Sequence, residues 1–303
     1  MANIPSWVYK LLIVLATIIW GFSFVVMKDV VTVLPPAWLL GMRFLFAGAL
    51  LLVILRKRVM RFCSRKVVTY GFILGALDFT AFWLQTVGLK HTTPGINAFL
   101  TATYCVLVPF AWWLIARKRP TAFNIVAAIV AVCGIWLVSV SSSGETLSIG
   151  FGEAMTLGCA VAFAAHIVAV SKFAQKCDAL VLTVFQFIAE GALGIIFGAA
   201  TETFPGVAAF TPEIIGQMLF LAVFASVVAF GIQNVSLAHV PPTQASLLLS
   251  LESVFGVVFS ILLYGEQMTL RLVVGFVLIF AAIVISETLP LKENPCRRKT
   301  TSS

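Results

Sequence analysis

Charge is scarce in this chain. Of its 303 residues, 20 are Lys or Arg and 12 are Asp or Glu, 11% in all. A soluble domain carries about 25%, and no polar stretch here is long enough to form a domain outside a membrane. Histidine is scarcer still: His91, His166 and His239 are the whole supply. With no paired-histidine motif and no Gly-x-Ser-x-Gly, the chain lacks the reactive cluster that a membrane-embedded enzyme acting on lipid would need at one face. No Gly-rich phosphate-binding loop is present, which excludes a primary pump within this chain. No repeated filter loop interrupts the apolar segments, which argues against a channel. No two of the six cysteines have metal-ligand spacing, so neither a disulfide, a metal site nor a cofactor is expected.

What the chain has in place of charge is apolar length. It is 61% hydrophobic, with mean hydropathy +1.07. A helix spanning a bilayer takes about 20 mainly apolar residues. Ten segments qualify: 9–27, 37–55, 67–88, 95–116, 121–141, 151–170, 180–200, 214–236, 242–264 and 270–288. The breaks between them are short and carry Pro, Gly, Ser and charge. The expected fold is an all-α integral membrane protein with ten transmembrane helices. The first segment reads as a membrane helix and not as a cleaved signal peptide, because "WGFSFVVMK" runs straight on from it with no small-residue cleavage site.

The basic residues give an orientation, since cytoplasmic loops accumulate Lys and Arg. Sixteen of the twenty fall on the side that holds both termini and loops 2–3, 4–5, 6–7 and 8–9; loop 2–3 alone has Arg56, Lys57, Arg58, Arg61, Arg65 and Lys66. The other side has Lys28, Lys90 and Arg271, and Arg43 lies within a helix. Both termini are therefore expected in the cytoplasm, with the chain multi-pass in the cell membrane. The net charge of +8 is explained by this asymmetry, and nucleic acid is not an expected partner because no basic domain exists outside the membrane. Cys63, Cys177 and Cys296 fall on the cytoplasmic side, where thiols stay reduced; Cys105, Cys133 and Cys159 lie in apolar segments.

One string is written twice. "AFWLQTVGLKHTTP" (81–94) returns as "AFGIQNVSLAHVPP" (229–242), ungapped at an offset of 148 and identical at seven of fourteen positions. The first copy ends helix 3 and the second ends helix 8. Each half has five helices, an odd number, so the second half enters the membrane upside down. The expected organisation is a first repeat over 1–144, an inverted second repeat over 145–289 and a basic cytoplasmic tail over 290–303. Inverted repeats belong to secondary transporters, which place a site near the midplane and open it to either side. A small-molecule substrate, the lipid bilayer and, as a candidate coupling ion, protons are the expected partners of such a chain, working as a monomer or homodimer.

The register nominates residues. Asp78 and Gln85, seven apart, share a face of helix 3; their counterparts are Ser226 and Gln233, with Asn234 beside the latter. Asn97, Thr101 and Tyr104 form a polar stripe on helix 4, opposite Ala245, Leu249 and Glu252 on helix 9. These stripes suggest a cavity lined by helices 3, 4, 8 and 9, with the short turns holding helix 3 against 4 and helix 8 against 9. A mid-helix charge costs roughly 2.5–3.5 kcal/mol on insertion scales and so faces protein or a wet cavity. On that ground Glu252 is the first candidate for proton carriage or substrate contact, Asp78 the second, and Glu190 a candidate partner for a cation. Arg43 lies about 10 Å inside the outer end of helix 2, within snorkelling range of the surface. His166 reads as a packing histidine, Trp20 and Trp83 as candidate walls of an apolar pocket, and Glu266 as a residue that fixes the helix 9–10 turn. Ser246, Ser250, Ser253 and Ser260, "GFILG" (71–75) and "GIIFG" (194–198) read as helix-packing stripes, since small residues let backbones approach.

Four stretches carry a family likeness: "WGFSFVVMK" (20–28), "RFLFAGALLL" (43–52), "TPGINAFLTATYCVLVPF" (93–110) and "PPTQASLLLSLESVFGVVFSILLYGEQMTLRLVVGFVLI" (241–279). The chain resembles the drug/metabolite transporter superfamily, in its ten-helix form with two EamA-type repeats. The family pattern of a mid-helix Glu, a Gly-Glu pair at the helix end and a Gly in the next helix falls on Glu252, Gly265, Glu266 and Gly275. The resemblance implies a transporter that exports small metabolites, amino acids or related compounds among them. Family members often have Pro after the mid-helix Glu; Ser253 stands here, from which a straighter helix 9 is expected. The first repeat has Tyr104 and Lys118 in place of the two acids.

Overall fold

The computed structural model describes residues 5–116, 119–139, 149–174, 176–237, 240 and 248–289. Lys118, Cys296, the tail and the start of segment 9 lie outside the described residues, as does the side chain of Asn234. Among the described residues ten helical units follow one another. They are α1 Ser6–Val33, α2 Pro36–Ile54, α3 Arg65–His91, α4 Pro94–Ala102 and Tyr104–Ala116, α5 Ala122–Ser139, α6 Phe151–Phe173 and α7 Ala179–Thr201. Then come α8, built from Pro212–Leu219, Phe220–Val228 and Ala229–Leu237; α9, built from Leu251–Phe259 and Ser260–Tyr264; and α10, Leu270–Thr288. A seven-residue helix, Arg56–Phe62, links α2 to α3. Among the described residues nine helices are long and apolar enough to cross a membrane, and Leu251–Tyr264 is a shorter apolar one. The chain is an all-α membrane protein.

The helices start where the sequence offers a cap. Ser64, Thr93, Asp178, Thr211 and Thr269 each accept a hydrogen bond from a backbone N–H of the first turn that follows, which satisfies a donor the helix leaves orphaned. Pro36, Pro94 and Pro212 take the first helical position, where a missing N–H is harmless. Gly265 ends α9 in the left-handed region, φ +72°, a conformation glycine adopts without steric cost.

Packing does not follow the hairpins. One hydrophobic cluster draws on α1, α2, α3, α7 and α8, with Phe44 and Phe187 at its centre; a second draws on α4, α5, α9 and α10. The 3–4 and 8–9 hairpins are thus each divided between two cores. α3 lies along α6 and α7 and meets α4 only near their turn, while α4 lies on α9. The expectation that a short link holds α3 along α4 is overturned. Gly71 and Gly75 explain why: a Cβ on either would collide with α7, at Phe185 and Ala189, so α3 is smooth toward α7. The same reading holds for Gly194, whose missing Cβ leaves room for Gly41 of α2.

Helix 9 is not straight. α4 breaks at Thr103 and α9 at Ser250, positions one residue apart in the repeat register. At each break a hydroxyl bonds a carbonyl three residues back: Thr103 Oγ1 to Leu100 O at 2.6 Å and Ser253 Oγ to Ser250 O at 2.8 Å. Such bonds compete with the helical ladder and bend it. Ser253 therefore supports a break of its own where proline would have made one.

Candidate functional site

The strongest polar feature is a buried cluster where α2, α3, α6, α7 and α8 meet. Asp78 of α3 is 1% exposed and accepts a hydrogen bond from Gln186 Nε2 of α7 at 2.6 Å. His166 of α6 places Nδ1 3.6 Å from Asp78 Oδ1. One turn from Gln186, Glu190 is fully buried, and neither of its carboxylate oxygens has a hydrogen-bond donor. Arg43 of α2 is buried as well. Its Nε donates to Ser226 Oγ at 3.0 Å, Nη1 points at Met27 Sδ at 3.6 Å, and the guanidinium lies over the rings of Phe44 and Phe82. Arg43 is within electrostatic reach of both acids. Its position is decided in favour of the interior; it does not snorkel.

Local sequence explains the assembly. Gly75 sits against the backbone of Gln186 and Glu190, so Asp78, one turn further along α3, arrives beside the same face of α7. Ser226 lies in a π-helical stretch, Phe220–Val228, and donates to Leu221 O five residues back. That turn leaves its oxygen free to accept from Arg43. π-bulges recur at functional sites.

The other candidates are placed elsewhere. Gln85 is buried and bonds Thr101 at 3.1 Å; Asn97 bonds Gln85 O and Thr156 Oγ1 at 3.2 and 2.8 Å. This ladder ties α3, α4 and α6 together, so the Asn97–Thr101 stripe is cement and not a cavity wall. Gln233 on α8 is half-buried and makes no side-chain hydrogen bond with the described residues. Glu252 is half-buried on α9, two residues past the break at Ser250, and lies within electrostatic reach of Tyr104, which follows the break in α4. Among the described residues Glu252 has no hydrogen-bond partner. Glu252 and Tyr104 thus form a second, more open site, linked to the first through Phe163, which packs on both Tyr104 and Phe82.

The tryptophans do not wall one pocket. Trp20 packs on Phe230 and donates to Ala225 O at 2.8 Å, between α1 and α8; Trp83 packs on Phe197 of α7. Glu266 is buried and accepts from Thr93 Oγ1, Gly95 N and Ser260 Oγ. It joins the start of α4 to the end of α9, a wider role than fixing one turn. Near it Lys28 donates to the carbonyls of Leu89, Lys90 and Thr92, closing the end of α3. A cleft of about 320 Å³ at the α1–α8 end of the bundle holds Asp29 and Glu213. Among the described residues no group of three metal-ligating side chains occurs, and Cys63, Cys105, Cys133, Cys159 and Cys177 are free thiols.

Gln186 is the site residue the sequence reading missed. Its signal was present: four residues before Glu190 in an otherwise apolar helix, it shares a face with that acid.

Known proteins resemble this chain along nearly its whole length. Residues 7–140 and 150–288 each match the EamA-like transporter family. An uncharacterized transporter of Archaeoglobus fulgidus is 29% identical over 271 residues, covering 89% of this chain and 83% of its own. The transporter YvbV of Bacillus subtilis is 26% identical, covering 95% and 94%, and the protein PagO of Salmonella typhimurium is 26% identical, covering 95% and 96%. A solved crystal structure superposes with a TM-score of 0.66 at 17% identity, over 94% of this chain and 99% of its own, and so shares the fold. The Archaeoglobus fulgidus protein and YvbV are transporters by name, and the matching family is one of transporters, not enzymes. The chain belongs to the EamA-like transporter family, and it is a membrane transporter.

Proposed function

We propose that the protein is a secondary transporter that exports small metabolites, amino acids or related compounds, across the cell membrane by alternating access. The observation that carries this is the pairing of helices. The α1–α8 interface has a counterpart in α3–α6, α1–α9 in α4–α6, and α2–α8 in α3–α7; α2–α7, α4–α9 and α5–α10 are their own counterparts. That pattern supports two halves, 1–144 and 145–289, related by an inverted repeat, with 290–303 as a basic tail. Breaks at Thr103 and Ser250 support the same symmetry, and discontinuous helices are where transporters of this kind hold substrate.

Glu252 and Tyr104 flank those breaks. Glu252 is a carboxylate without a hydrogen-bond partner among the described residues, suited to an amino group of the substrate, while Tyr104 offers the facing hydroxyl. Purified protein in liposomes, given a panel of amino acids and related metabolites under an imposed proton gradient, tests the reading. Accumulation of one chemical class is expected, with Glu252→Gln losing both driven accumulation and substrate exchange. A panel that produces no flux overturns the substrate class. Loss of driven accumulation with exchange intact moves Glu252 to proton carriage. Orientation is tested separately: Cys63, exposed on the Arg56–Lys66 side, should resist an impermeant thiol reagent on intact cells and react in inverted vesicles.

A further inference from the structure

Glu190 is the anomaly of the buried cluster. An ionised carboxylate in a dry interior survives only when donors surround it, and both Glu190 oxygens have none. Across from it stands Asp78, close enough to interact, with Arg43 also in range. Two carboxylates can approach each other in a dry interior when a proton lies between them: one protonated oxygen donates and the other accepts. The charge count agrees. Arg43 supplies one positive charge, so two ionised acids leave the cluster at minus one, and a single proton makes it neutral.

That proton has two possible seats, the carboxyl pair or His166. An imidazolium carries two N–H donors, and His166 Nε2 is buried with no partner, so a charged His166 would strand a donor. Neutral His166 with its proton on Nδ1, toward Asp78, strands only a lone pair. We infer that Asp78 and Glu190 bind one proton between them, a proton-binding site balanced by Arg43 and bordered by neutral His166. The O–H of one carboxyl donates to the other carboxylate, while Gln186 holds Asp78 in line through the 2.6 Å bond.

The groups facing the pair are few. α2 brings Arg43; α6 brings His166 and, within electrostatic reach of Asp78, the Cys159 thiol; α8 brings the uncharged Ser226. On α1, Lys28 is engaged with the far end of α3, and Arg58 of the linking helix is paired with Asp178. The proton site stands on this geometry and does not depend on the substrate reading.

Infrared pH-difference spectra of the full-length protein in lipid nanodiscs test it. The wild type should show a buried carboxylic-acid carbonyl stretch at neutral pH that vanishes on alkaline titration. That component should be missing from Glu190→Gln and equally from Asp78→Asn, since each leaves one carboxylate against Arg43 and no proton to hold; His166→Gln should keep it. Full retention of the carbonyl component in both acid-to-amide variants overturns the proposal, as does its loss in His166→Gln. Both amide variants should fold, because each keeps the cluster neutral, so aggregation of both also overturns it.

Discussion

Glu190 and Glu266 are both buried carboxylates in the same bundle, and they are opposites. Glu266 receives two hydroxyls and a backbone N–H, from two separate stretches of chain. Glu190 receives none. A carboxylate wrapped in donors works as a clasp between elements. One with no donors but a neighbouring acid and a guanidinium works only through the charge balance of its cluster. Family pattern alone singles out Glu266, and burial alone does not separate the two; their partners do.

The largest effect expected from breaking this contrast is at Arg43. Arg43→Met removes the cation from a cluster with two acids. Loss of one partner from a buried charge set costs about 3–5 kcal/mol, read as a lowered midpoint of thermal unfolding in detergent. The loss should shrink on acidification, as both acids take up protons, and the carboxylic-acid infrared band should grow relative to wild type. An unchanged midpoint would mean that Arg43 is not the counter-charge.

Next comes Glu266→Ala. It leaves three donors unanswered where α4, α9 and α10 meet, and each buried group so orphaned costs about 1–3 kcal/mol. A clear drop in the midpoint is expected, while Glu190→Gln under the same conditions should stay within about 1 kcal/mol of wild type. Equal losses for the two variants would erase the distinction between clasp and cluster.

The smallest effect is at the end of the bundle that holds the Arg56–Phe62 helix, where Arg58 meets Asp178 at 2.8 Å with Arg58 half exposed. Partial burial alone would raise the Asp178 carboxyl. The Arg58 guanidinium and the N–H groups of Val181 and Leu180 outweigh it and leave the carboxyl below its ordinary 3.8. The stability this adds is present above 3.8 and fades as the pH falls through the lower folded value. Solvent screening keeps it below about 1 kcal/mol. Arg58→Ala should therefore lower the midpoint slightly at pH 7, and by less in high salt or below about pH 3.

The sequence by itself determined nine of the apolar spans and where they begin, the start of segment 9 lying outside the described residues, because bilayer thickness and the caps at Ser64, Thr93, Asp178, Thr211 and Thr269 are local constraints. The packing role of "GFILG" and "GIIFG" was legible for the same reason: a missing Cβ is a property of the residue. Asp78, Glu190, Arg43 and His166 were each visible as charges or imidazole in apolar helices. Their meeting was not visible, since it needs α3 to lie along α7, and the short turn at 92–93 argued for α4. Turn length fixes only where two helices begin to part; the smooth faces of Gly71 and Gly75 decide which neighbour is followed. Likewise the missing proline after Glu252 gave no warning of the break at Ser250, because a serine hydroxyl bends a helix only where packing leaves the bend room. Tertiary structure alone decided that Gln85 is cement and that Glu190 lies buried with no donor beside a second acid.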